Sequence, residues 1–325
     1  MSSTPGGLTW ELITEARERI TGKVNLTPLF TSRTLDGLTG ARLHFKCENL
    51  QKGGAFKARG ATNAVFALSE REARRGVATH SSGNHGAALA RAAALRGIRS
   101  YIVMPDNTAQ AKRDAVARYG AEITWCAPTL AARESTVRQV LAATGATLVH
   151  PYDDLRVMAG QGTAAVELLE AVPNLDVLLC PVGGGGLLSG CAVAARTIKP
   201  DIRVIGVEPA MYPSFTARMR GVNAPCSGQT IADGLRATIG ERPFAEIRRL
   251  VAEIVTVNDE AIVRAMRQLW EVLKIVVEPS GAVPYAALLD APAALRGRRI
   301  GIIVSGGNLD LDHLPWSTGV TPARG

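Results

Sequence analysis

Short β-branched runs alternate with alanine-rich amphipathic stretches along most of the chain, and that alternation limits the folds open to it. Candidate strands are "ARLHFKCE" (41–48), "GVATHSS" (76–82), "SYIVMP" (100–105), "AEITWC" (121–126), "TLVHP" (147–151), "DVLLCPV" (176–182), "RVIGVEP" (203–209), "EIVTV" (253–257) and "RIGIIVSG" (299–306). Between them, "HGAALARAAALRG" (85–97), "AQAKRDAVARYG" (109–120) and "DEAIVRAMRQLWEVLK" (259–274) carry apolar residues at helical spacing. The first two close on a glycine suited to a helix C-cap. Alternation of this kind builds parallel sheets with helices on both faces, an α/β fold. Nine candidate strands exceed what one ordinary sheet requires, so the pattern predicts two sheets in two lobes. With no Gly/Ser or Pro linker and no repeat between them, the lobes are expected to interleave around a shared cleft.

At 325 residues, 46% of them hydrophobic, the chain can bury a sizeable core. Its longest apolar runs, such as 177–182 and 300–304, are far too short to cross a bilayer, and the N-terminus lacks a basic-then-apolar signal pattern. No membrane partner is expected, and the expected location is cytoplasmic. The net charge of +8 is spread over scattered arginine pairs such as Arg74 and Arg75, and aromatic residues make up only 5% of the chain. Without a basic stripe or stacking platforms, no nucleic-acid partner is expected. Cysteines at 47, 126, 180, 191 and 226 lie far apart without CxxC spacing, which points to reduced, buried thiols rather than a disulfide framework or zinc site.

In open α/β sheets ligands gather at the carboxyl ends of strands, and three such junctions carry small polar or glycine-rich loops. "SSGNHG" (81–86) offers two hydroxyls, an amide and free N–H groups at a helix start, a cradle for a carboxylate. "PVGGGGLLSG" (181–190) sets Gly183, Gly184, Gly185 and Gly186 between a buried strand and a helical pattern, where bare backbone can approach a phosphate. It lacks the GK[ST] of a Walker A loop and the GxGxxG of a dinucleotide site. "IIVSGGNLD" (302–310) brings Ser305 out at a strand end. A fourth stretch, "GGAFKARGA" (53–61), holds Lys57 among small residues. A phosphate cradle, a lysine, a carboxylate cradle and a strand-end hydroxyl together suit pyridoxal 5′-phosphate and an amino-acid substrate. Lys57 then sits among small residues because a flat ring lies against the backbone there.

The motifs "ENLQKGGAFKARGA", "SSGNHGAALA", "VMPDNTAQAKRDAVARYGAEI", "AGQGTAAVELLE", "PVGGGGLLSG", "GVEP", "ADGL", "EPSGA" and "SGGN" follow one another in the order of a known family. From about residue 8 to residue 312 the chain resembles the serine/threonine dehydratase and serine racemase group of fold-type II pyridoxal-phosphate enzymes. The resemblance implies a two-lobed fold related to the tryptophan synthase β chain. Residues 1–73 with 150–325 would form a large cofactor-binding domain and 74–149 a small mobile one. It makes Lys57 the Schiff-base lysine and α-proton base, with Phe56 flanking the cofactor and Asn84 bonded to the ring hydroxyl. Gly183 to Gly186 and Leu187 would hold the phosphate, and Ser305 would face the pyridine nitrogen. Ser82 would lie on the ring face opposite Lys57, while Ser81, Ser82, Asn84 and His85 would receive the substrate carboxylate.

The implied reaction is β-elimination of water from a β-hydroxy amino acid such as threonine, serine or a bulkier analogue, giving a 2-oxo acid and ammonia. An amino-acid racemase using Lys57 and Ser82 on opposite faces is the alternative, and a non-catalytic binding protein on the same fold is a third reading. The expected partners are a small amino-acid substrate and a second copy of the chain in a homodimer. Several positions depart from the family pattern. Ala55 stands where most relatives carry serine, and Tyr152 stands where phenylalanine or asparagine is frequent, beside the expected pocket for the substrate side chain. Glu208 matches the first acidic ligand of a divalent-cation site, but Tyr212 and Ser214 occupy the next ligand positions. The chain stops soon after its last strand, so no C-terminal regulatory domain is expected.

Overall fold

The computed structural model of the chain describes residues 6–81, 83–222, 228–289 and 293–317. Its strands are β1 (Leu29–Phe30), β2 (Arg42–Cys47), β3 (Val77–His80), β4 (Ser100–Pro105), β5 (Glu122–Cys126), β6 (Thr147–Leu148), β7 (Val177–Pro181), β8 (Arg203–Pro209), β9 (Glu253–Val257) and β10 (Arg299–Val304). They form a six-stranded sheet, β1-β2-β10-β7-β8-β9, and a four-stranded sheet, β5-β4-β3-β6. Every pairing is parallel except that of β1 with β2. The expected two-sheet α/β architecture is therefore present, with one added edge strand.

Both faces of the larger sheet are covered, which is why its strands read as unbroken apolar runs. Along β10, Ile300, Ile302 and Val304 enter one core layer, and Ile303 enters the other. The first layer is closed by helices Asp259–Gln268 and Pro279–Leu289, the second by Trp10–Ile20, Leu155–Ala171 and Gly186–Ile198. The smaller sheet is sandwiched in the same way between two apolar clusters. Local chemistry sets the helix ends. Ser69 and Glu72 form a reciprocal capping box, and Gly97 ends helix Asn84–Arg96 in the left-handed conformation.

Three expectations shift. The 147–151 run is a strand only as far as Leu148; Val149 makes one further bond to Ala78 O (2.9 Å), and Pro151 O already accepts from Lys57. The 259–274 helix changes at Leu269 to a wider π turn, Leu269–Leu273, that stops at Lys274 with φ 59°. Leu29–Phe30 adds an antiparallel edge strand that the sequence pattern does not predict. Among the described residues four cysteines are free and buried, and no helix is long and apolar enough to cross a membrane. Cys226 lies outside the described residues.

The helix Lys57–Phe66 is fixed from below by ion pairs away from solvent. Arg59, fully buried, binds both oxygens of Glu48 (2.7 and 2.8 Å) and both of Glu167 (2.6 and 2.7 Å). Lys46 adds a 2.6 Å bond to Glu167. Two cations thus face two anions, tying β2, this helix and helix Leu155–Ala171 together.

Candidate active site

Between the two sheets lies a cavity of about 310 Å³, at the small end of the range for ligand sites. It collects the carboxyl ends of strands from both sheets. Phe56 N–H donates to Ser305 O (3.0 Å) and Ala55 bridges to Gly306, so the loop before Lys57 is stitched to the end of β10. Lys57 opens its helix, and its ammonium donates to Pro151 O at 2.7 Å and stands 5.0 Å from the centre of the Phe56 ring. The side chain is partly open to the cavity but enclosed by protein around it, and that burial lowers its pKa to about 8.

The glycine loop begins where β7 ends. Ser214 Oγ donates to Gly183 O (3.0 Å) and Gly240 N–H to Gly184 O (3.1 Å), so these carbonyls are held from outside. The N–H groups of Gly183, Gly184 and Gly185 donate to no described residue. Gly185 has φ 90°, a left-handed conformation that starts helix Gly186–Ile198 and that a residue with a Cβ rarely adopts. A Cβ on Gly184 would stand 2.4 Å from the ring of Tyr152. Tyr152 lines the cavity and packs edge-on against His150, with centroids 4.6 Å apart.

On the opposite wall, Asn84 begins helix Asn84–Arg96. Its Nδ2 donates to Glu278 Oε1 (3.0 Å) and more weakly to Oε2 (3.3 Å), and its Oδ1 accepts from Asn308 Nδ2 (2.9 Å). Ser81 Oγ accepts from Gly83 N–H (3.3 Å), and Ser305 Oγ donates to Ser280 O (3.4 Å). Ser82 lies outside the described residues. His85 is buried. Its Nε2 bonds Val149 O at 3.1 Å, and because a carbonyl only accepts, the proton sits on Nε2. Nδ1 is left as a buried lone pair without a partner among the described residues, and burial and Lys57 hold the ring well below its usual pKa. A neutral ring in this tautomer has no donor for a carboxylate, so only the residue's backbone at the helix start remains suited to one.

Glu208, expected as a cation ligand, has its carboxylate engaged within the protein. Its carboxylate accepts from Phe215 N–H (3.0 Å), Thr216 N–H (3.1 Å) and the Thr216 hydroxyl, capping helix Ser214–Met219. Among the described residues no group of three or more His, Cys, Asp or Glu could hold a metal ion.

Sequence reasoning missed several residues that line the cavity. Glu278 is buried beside Asn84, accepts from Asn308 N–H (3.1 Å), and has its pKa raised to about 8, first by burial and then by Asp233. The motif "EPSGA" was its only signal. Arg133, His80 and Lys112 come from the smaller sheet's side, and Lys112 pairs with Asp233 at 2.6 Å across the mouth. Among the described residues Arg133 forms no ion pair; its Nε donates to Thr129 O at 3.4 Å.

The geometry can be set beside known proteins. The family model for pyridoxal-phosphate dependent enzymes matches residues 20–306. The chain is 50% identical to a beta-hydroxyaspartate dehydratase of Paracoccus denitrificans over 313 residues, covering 95% of this chain and 99% of that one. It is 44% identical to an L-threo-3-hydroxyaspartate ammonia-lyase of Saccharomyces cerevisiae, covering 92% and 93%. A solved maize serine racemase superposes with a TM-score of 0.91 at 44% identity, covering 94% of this chain and 95% of that one.

The donor set fits the cofactor of that family. A primary amine of lowered pKa suits its aldehyde, and unpaired loop N–H groups at a helix start suit its phosphate. An amide and a strand-end hydroxyl remain for the polar atoms of its ring. With this fold, this pocket and a family match spanning nearly the whole chain, the protein belongs to the pyridoxal-phosphate dependent enzymes.

Proposed function

We propose that the protein is an ammonia-lyase that eliminates water from a β-hydroxy amino acid bearing a second carboxylate, of the β-hydroxyaspartate type, and releases a 2-oxo acid and ammonia. The observation that carries the substrate class is the side of the cavity lined by Arg133, which has no ion-pair partner among the described residues. A guanidinium free to form a charge-assisted bond suits a second carboxylate. The two relatives named for hydroxyaspartate support this reading over a threonine- or serine-specific one.

When bound, pyridoxal phosphate supplies the electron sink for charge left at the α-carbon. The chain's own residues do the rest. Lys57 would hold the cofactor through its amine and take the α-proton on Nζ, and the burial that lowers its pKa to about 8 favours the neutral, proton-accepting form. The loop N–H groups of Gly183, Gly184, Gly185 and Gly186, with Leu187, hold the phosphate. Phe56 flanks the ring, Asn84 donates to its hydroxyl and Ser305 meets its nitrogen. Ser81, Ser82, Asn84 and the backbone at His85 receive the α-carboxylate, and Tyr152 lines the side-chain pocket. Residues 74–149 act as a small mobile unit against 1–73 with 150–325, and the active form is a cytoplasmic homodimer.

A panel measuring 2-oxo acid release from β-hydroxyaspartate, threonine and serine tests this. One charge-assisted hydrogen bond is worth about 1.5–3 kcal/mol, so kcat/KM should favour the dicarboxylate by roughly 10–100-fold. Equal or greater activity on threonine would overturn the substrate class. The likeness to serine racemase favours a second reading, racemisation with Ser82 as the opposing base. It predicts α-proton exchange from D-substrates in deuterated water.

A further inference from the structure

The amide of Asn84 faces the cavity in one orientation only. Its Oδ1 accepts from Asn308 Nδ2, and its Nδ2 donates to the carboxyl of Glu278. Turning the amide over would set its NH2 group against the NH2 group of Asn308, whose own orientation is fixed by Gly53 O. Asn308 is itself held at both ends, by Nδ2 to Gly53 O (2.7 Å) and by its backbone N–H to Glu278 Oε2 (3.1 Å). Glu278 therefore clamps both partners, closing a ring of hydrogen bonds. Nδ2 has two hydrogens, and the clamp uses one. The other is left for a ligand in the cavity that Asn84 and Glu278 both line.

We infer that Glu278 is a positioning residue for the cofactor, fixing the Asn84 amide so that its second N–H is presented to the ring hydroxyl oxygen. The inference rests on the reading of Asn84 given under the proposed function. Two further observations support it. The residue is 4% exposed yet wholly engaged with neighbours that themselves line the cavity, as expected for a group that acts through them. Burial raises its pKa to about 8, which lessens the negative charge it would set beside the ring oxygen.

A glutamine in its place has one acceptor oxygen and cannot take both the Asn84 amide and the Asn308 backbone N–H, so Glu278→Gln should break the clamp with little change in volume. The experiment is a double-mutant cycle on cofactor affinity, read by fluorescence titration of apoenzyme with pyridoxal phosphate, together with the visible absorption maximum of the loaded protein. Glu278→Gln is expected to weaken cofactor binding about tenfold and move the absorption maximum in the otherwise native chain. In an Asn84→Ala background the same change should alter the dissociation constant less than twofold. Equal losses in both backgrounds would overturn the inference, since a merely structural glutamate would act without regard to Asn84. If Asn84→Ala alone leaves affinity and spectrum unchanged, the assignment of Asn84 to the ring fails instead. Should Glu278→Gln not fold, Asn308→Ala decides by the same cycle: an effect lost without Asn84 supports the clamp, and an unchanged effect refutes it.

Discussion

The ring of Tyr152 lies over Gly184 so closely that a methyl group on that glycine would stand 2.4 Å from it. The bareness of the loop thus serves the protein's own packing as well as any phosphate. Gly184→Ala should cost about 1–3 kcal/mol of stability by overpacking. Adding Tyr152→Ala should recover part of that loss, as thermal melts of the two single variants and the double variant would reveal. If the two losses simply add, the contact is not the cause.

Lys57 carries the covalent chemistry. Lys57→Ala is expected to lower kcat by about a thousandfold or more and to leave no cofactor attached after borohydride reduction, as mass spectrometry of the reduced protein would show. Retained attachment at another lysine would unseat the assignment.

Arg133 is the residue to test for substrate choice. Arg133→Gln should reduce kcat/KM for β-hydroxyaspartate about 10–100-fold while changing threonine turnover by less than about threefold. Parallel losses on both substrates would assign Arg133 to the fold or to the common carboxylate.

Glu278 gives the pH prediction. Its folded pKa of about 8 lies above the usual 4.5, so between those values the folded chain keeps a proton that the unfolded chain has lost. Stability of the cofactor-free protein from this group must then fall as pH rises through that window. Asp233 and Lys112 face it with opposite sign, and Asn84 and Asn308 are its neutral neighbours. In Glu278→Gln the fall is absent, so the melting temperature of the variant relative to the parent should climb between pH 5 and 8.5. A constant difference would mean that Glu278 is ionised throughout.

Arg59 offers a test of the anchor below the site. Arg59→Met strands Glu48, which has no exposure to water, and should cost about 3–5 kcal/mol in chemical denaturation. A loss below about 1 kcal/mol would show that the network relaxes around the vacancy.

Much of this was legible in the sequence, for definite reasons. A buried parallel strand such as β10 must be apolar on both faces, so "RIGIIV" declares itself. Leu29 and Phe30 do not, because two residues on an antiparallel edge have no period to read. Lys57, Asn84, the glycine loop and Ser305 sit at strand ends or helix starts, where topology gathers ligands. Glu278 was hidden because its significance depends on Asn84, 194 residues earlier in the chain. His85 could be named from its loop, but its tautomer is set by Val149 O, a partner that no local pattern reveals.

The place of β10 also fixes an order of events during synthesis. It lies between β2 and β7, pairing Arg299 with Arg42 and Ile300 with Val177. The ribosome therefore releases β2 long before its parallel partner β10 exists, while every strand of the smaller sheet has emerged by residue 148. The smaller sheet can assemble from near neighbours, whereas the larger one waits with an open middle until β10 arrives. A nascent chain halted before β10 would leave β2 and β7 without the strand that joins them, and that is the stage at which a chaperone has most to shield.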